Sequence, residues 1–207
     1  MINALRYQLG GLRNAWDNGL EEEVRRSAFA FIILWLLFFA ACVFMPDLRE
    51  TLVKLMFSTL DNLHVTDENG RISATALLFN NVEATALIMI YGLIPFIRLP
   101  ALSLGVNAMM LGVMASLYIA DGMSPLIYMA ALLPHGIFEL PALALAFGMG
   151  LYICGQMTRR CRGDTAAHSV WNCLVLISRM LLLVLVPLLI VSALVEAYVT
   201  PLFLSLF

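Results

Sequence analysis

Residues 27–45 read SAFAFIILWLLFFAACVFM, nineteen residues without a charge, ended by Pro46-Asp47. About 20 apolar residues are needed to cross the hydrocarbon core of a bilayer. This stretch is therefore read as a membrane crossing, with Arg25 and Arg26 just ahead of it. The rest of the chain agrees. Of its 207 residues, 62% are hydrophobic and 13% charged, and the mean hydropathy is +0.91. Soluble domains hold roughly 45–50% apolar and about 25% charged residues. The composition describes a polytopic membrane protein. It excludes a soluble enzyme, a nucleic-acid binder and a secreted disulfide scaffold.

Ahead of the first crossing, residues 1–26 are too polar for a secretory signal. Leu5, Leu9, Leu12, Trp16, Leu20 and Val24 follow steps of three and four, which predicts an amphipathic helix over 3–26. Gly10, Gly11 and Gly19 weaken it. After the crossing, residues 46–72 form an extracytoplasmic polar hairpin. Leu48, Leu52, Leu55, Met56, Leu60 and Leu63 keep helical spacing there, and Asp67-Glu68-Asn69-Gly70 signals a turn. His64 falls at this polar edge. Residues 73–200 hold four more crossings, expected over about 74–97, 101–120, 125–157 and 170–199, and 201–207 is a tail. The 125–157 region is too long for one straight crossing, and Pro134 and Pro141 lie inside it. Proline breaks the backbone ladder, so a kinked helix or a re-entrant half helix is expected there. The predicted fold is thus an all-α bundle of about five transmembrane helices with a broken fourth span.

Charge sets orientation. Arg6, Arg13, Arg25, Arg26, Arg98, Arg159, Arg160 and Arg162 fall on one side, and Arg179 snorkels toward it. Arg49, Lys54 and Arg71 fall on the other. The positive-inside rule puts the N-terminus in the cytoplasm, and the expected location is the inner (cytoplasmic) membrane. Cys42, Cys154, Cys161 and Cys173 form no CxxC and are read as reduced. A site built from Cys154, Cys161, His168 and Cys173 lacks zinc-ligand spacing.

A charge at mid-membrane costs at least ~2.5–3.5 kcal/mol, so polar residues within the spans need a reason. Asn80, Asn81, Glu83, Asn107, His135 and Glu139 come from three spans and reach similar depth at about 1.5 Å per residue. His135 and Glu139 are four apart and share a helix face, as do Asn80 and Glu83, three apart. Three readings stay open: a hydrogen-bonded structural core, an ion or proton path, or a site for one divalent metal ion on His135, Glu139 and Glu83. There is no HExxH, no GxSxG, and no lysine besides Lys54, so an enzyme reading has little support. Small residues repeat every four positions at Ala142, Ala146 and Gly150, and at Ala108, Gly112 and Ser116. Such stripes let helices approach closely, within one chain or across a homodimer.

LLFNNVEATAL (77–87), Gly92-Leu-Ile-Pro95, GVNAMMLG (105–112), LPHGIFELPA (133–142) and AFGMGLYICG (146–155) follow one another in a familiar order. Over roughly residues 75–200 the chain resembles the stage II sporulation protein M family of bacterial and archaeal membrane proteins. The Pro-His-Gly-x-x-Glu-Leu-Pro-Ala stretch is the most specific element. Residues 1–72 carry no part of the resemblance. It maps the shared motif onto Asn81, Asn107, His135 and Glu139. It also implies a membrane scaffold that joins peptidoglycan-degrading partners during engulfment. The sequence reading is therefore a non-enzymatic, dimeric membrane scaffold or complex subunit linked to cell-envelope remodelling. Its partners are the lipid bilayer, a second copy and other membrane proteins. The alternative is a metal-dependent membrane enzyme or a small ion or solute transporter.

Overall fold

The computed structural model describes residues 2–60 and 73–204. The turn expected at Asp67–Gly70 and His64 lie outside the described residues. Among those described, five helices are long and apolar enough to cross a membrane.

Helix α1, Ile2–Ala15, does not run on to residue 26 as one amphipathic rod. The chain kinks at Trp16–Leu20, where Gly19 takes φ +111°, a conformation that favours glycine. Helix α2 then starts at Glu21, so the acidic turn Glu21–Glu23 and Arg25-Arg26 are the first turns of the first span, which ends at Phe44. Helix α3, Pro46–Leu60, opens on a proline, whose missing N–H costs nothing in a first turn. It buries Met56 against Cys42 and Val113.

Helix α4, Ala74–Tyr91, is the second span and α5, Leu99–Ala120, the third. The second span is shorter than the expected 74–97. Gly92 and Pro95 turn the chain, and Phe96 sits at φ +66°. The Phe96 N–H donates to Thr158 Oγ1 at 2.9 Å, tying this strained turn to the fourth span. Serines start three spans: Ser73 Oγ accepts from Ala76 N–H, Ser124 Oγ from Leu126 N–H and Ser169 Oγ from Asn172 N–H.

The fourth span, α6, is one continuous helix, Pro125–Cys161. It is not re-entrant. Each internal proline removes a single ladder bond, a loss that membrane helices tolerate where neighbours pack against them. Its 37 residues exceed what one crossing needs, and the excess belongs to tilt or projection. The fifth span covers Val170–Leu202. It takes in α7 (Val170–Met180), α8 (Val186–Leu194) and the start of α9 (Thr200–Leu204), joined by widened π turns at Leu181–Leu185 and Val195–Val199. A proline, Pro187 or Pro201, follows each π turn by two residues. The local re-registration of the ladder accommodates the ring.

The small-residue stripes lie inside this single chain. A Cβ on Gly150 would come within 2.7 Å of the Ile88 carbonyl, and one on Gly112 within 2.8 Å of the Trp35 carbonyl. Ala108, Ala142, Ala146 and Ser116 are fully buried. These stripes let the fourth span meet the second, and the third meet the first, backbone to backbone. The buried small residues of these stripes are thus covered within the chain itself.

Candidate functional site

The inward stripe of α4 carries Leu77, Thr85 and Ile88, all buried. Asn81 falls on that stripe, one turn from Leu77 and one from Thr85. Its carbonyl accepts the Thr85 hydroxyl at 2.8 Å. Asn80 is half-buried and does not line the cavity that Asn81 reaches. Glu83, two residues past Asn81, is turned about 200° away at 100° per residue. It is exposed, on the outer stripe with Phe79, which is 72% exposed.

Asn81 instead faces Asn107, His135 and Glu139. These four line a cavity of about 250 Å³ that all five spans border, the first through Phe31. The fifth contributor is Glu196, within the second π turn of the fifth span. One ligating atom each from His135, Glu139 and Glu196 lies within 4.8 Å of the other two. Glu196 thus stands where the sequence reading put Glu83. The signal for it was present, because an acid inside LIVSALVEAYV costs as much as any other buried charge. It lies three residues before the expected span end, where an acid reads as interfacial.

Local bonds hold the cavity walls. The Asn107 side-chain amide donates to the Ser103 carbonyl at 2.8 Å, which leaves its own side-chain oxygen uncommitted by that bond. The Ser192 hydroxyl donates to the His135 carbonyl at 3.2 Å and pins the fifth span to the fourth one turn below Glu196. His135 Nδ1 is buried and has no hydrogen-bond partner among the described residues. A buried, unpaired ring nitrogen costs about 1–3 kcal/mol, so its place calls for a reason.

Chemically, the set offers one imidazole, two carboxylates and two amides. It includes no serine, cysteine or lysine nucleophile, since Ser192 is engaged with backbone. Cys154, Cys161, His168 and Cys173 do not converge; all four cysteines are free thiols, with Cys161 exposed and the others buried. Near the Arg-rich end, Tyr152 and His168 approach through Oη and Nε2 at 3.2 Å, and His168 N–H donates to Gln156 Oε1. Burial, then the Arg159 charge, pushes the His168 ring below its usual pKa of 6.5.

Five apolar helices around an internal polar cavity define a multi-pass integral membrane protein. The chain matches the family described as Stage II sporulation protein M over residues 25–201, and it belongs to that family. The match begins at residue 25 rather than about 75, so it takes in the first span and α3. No curated protein and no solved structure matches the chain.

Proposed function

We propose that this protein is a membrane scaffold whose fourth and fifth spans are clamped by one divalent cation, held by His135, Glu139 and Glu196. The observation that carries the reading is the convergence of these three groups with an otherwise unpartnered Nδ1. Two carboxylates this close in a water-poor bundle repel each other, and a cation between them turns repulsion into attraction. One imidazole with two carboxylates suits a first-row transition ion such as zinc, manganese or ferrous iron better than calcium, which takes oxygen ligands alone. Asn81 and Asn107 offer further oxygens from the second and third spans, so one ion would tie four spans together.

The scaffold reading rests also on the way these side chains and the Ser192 bond join the fourth span to the fifth. Its setting, the cytoplasmic membrane with other envelope proteins as partners, is supported by family membership and the Arg-rich face. One observation favours a second reading as a metal-dependent enzyme or carrier. A cavity of about 250 Å³ exceeds what an ion alone fills, since one water takes roughly 30 Å³.

The test is metal loading of the purified full chain. Protein is incubated separately with zinc, manganese and magnesium, freed of excess, and measured by plasma mass spectrometry beside His135→Ala. About one transition ion per chain, lost in the variant, is expected. A wild-type chain that retains none after loading, or a variant that retains as much, overturns the reading.

A further inference from the structure

A second groove lies at the opposite, Arg-rich end of the fifth span and shares no residue with the polar cavity. Helix α1 runs alongside α7, and between them is a space of about 350 Å³. Its walls include Leu174, Val175, Leu182 and Leu183, with Trp171, 71% exposed, at one end. The one charged side chain lining it is Arg179.

Helix α1 builds a seat for that guanidinium. Its Nε donates to Gln8 Oε1 at 2.5 Å, and the group lies over the Tyr7 ring, 5.6 Å from the centroid. Gly11 makes the room, since a Cβ there would come within 1.8 Å of Arg179 Nη1. No carboxylate of the described residues lies within ion-pair distance of Arg179, whereas Arg26 and Arg159 have such partners. Nor does α1 itself contain an acid, although it carries Arg6 and Arg13.

Depth identifies the counter-ion. The stretch 180–195, MLLLVLVPLLIVSALV, is free of charge, and Arg179 immediately precedes it. Arg25 and Arg26 stand in the same relation to the first span. The fifth span has 33 residues, against about 20 needed for the hydrocarbon. Arg179 therefore sits at headgroup level, where the abundant anion is a lipid phosphate. A guanidinium binds phosphate oxygens through its N–H donors, and among the described residues the one hydrogen bond it makes is from Nε to Gln8, which leaves its Nη donors for a phosphate.

From this we infer that the groove between α1 and the fifth span seats one anionic phospholipid, its phosphate on Arg179 and an acyl chain along Leu182 and Leu183. The preference for an anionic headgroup follows from the lining, which holds no acid to receive a choline or ethanolamine ammonium. The proposal is independent of the cation site.

Native mass spectrometry of the detergent-solubilised full chain tests it, with phosphatidylglycerol or phosphatidylcholine titrated in. One retained phosphatidylglycerol per chain is expected, under conditions that strip phosphatidylcholine. Occupancy at fixed lipid should fall about tenfold in Arg179→Gln. It should also fall in Gly11→Ala, where the added methyl pushes the guanidinium off its seat. Arg179→Lys keeps the charge but not the fork, and should fall between wild type and Arg179→Gln; it carries the test if Arg179→Gln does not fold. Equal retention of the two lipids by wild type overturns the proposal, as does wild-type occupancy in Arg179→Lys or Arg179→Gln. Displacement of the lipid by millimolar inorganic phosphate would instead make this a site for free phosphate, and overturns it too.

Discussion

The two halves of the fourth span do opposite things. From Ala142 to Met157 the helix is packed almost without gaps, and the run Ala146–Cys154 is buried throughout. From Pro125 to Pro141 only Gly136 is buried, and the helix borders a cavity holding His135 and Glu139. One half is close-packed around small residues, and the other leaves room around polar ones. The physical difference lies in what each half meets. Gly150 and Gly92 let two backbones touch, and dispersion contacts fill that seam. At His135 no small-residue stripe brings a neighbour in. The residues it meets across the cavity are Asn81, Asn107 and Glu196. The first half fixes the bundle, so the second can keep an imperfect, polar core.

The largest effect should come from the packed half. Gly150→Val forces a side chain into the Ile88 carbonyl and Pro100, and should cost about 3 kcal/mol, or prevent folding. Thermal unfolding in detergent reads it, and a loss below 1 kcal/mol would erase the contrast between the halves. Next comes metal in the polar half. At a hundred times its dissociation constant, a transition ion should raise wild-type stability by ~2.7 kcal/mol. In His135→Leu that gain should vanish, while the metal-free variant stays close to wild type, since it loses an unpaired buried nitrogen and gains an apolar group. A His135→Leu chain that unfolds without metal would make the imidazole a packing residue.

Ser192→Ala should cost ~1 kcal/mol, the net worth of its bond to the His135 carbonyl, and should loosen metal binding by freeing the fifth span. The smallest effect concerns the Arg-rich end. The His168 ring binds its proton less readily folded than unfolded, so stability is full above about pH 6.5 and declines as pH falls below it. His168→Gln should flatten that decline, measured as the difference between the two stability-versus-pH curves.

Much of this was legible in the sequence. Long, mostly apolar stretches located the five spans; the first and third carry no charge, and the other three carry one or two. The small-residue spacings pointed to Gly112 and Gly150, although spacing does not say whether the facing helix belongs to the same chain. Helix rotation was not legible. Asn80 and Glu83 share a face by spacing, yet burial of Leu77, Thr85 and Ile88 turns Asn81 inward and Glu83 outward. That rotation is set by packing between spans distant in sequence. Continuity of the fourth span through Pro134 and Pro141 also depends on its neighbours. Glu196 was within reach, since the cost of a buried charge applies to it as to Glu139, but the sequence reading did not include it among the polar residues of the spans.

The choice between Glu83 and Glu196 tests the account most directly. Wild type, Glu83→Gln and Glu196→Gln should be loaded with zinc or manganese and compared by elemental analysis at equal protein concentration. The account predicts about one ion per chain in wild type and Glu83→Gln, and little in Glu196→Gln. Metal kept by Glu196→Gln and lost from Glu83→Gln would contradict the arrangement of the fourth and fifth spans from which the site is built.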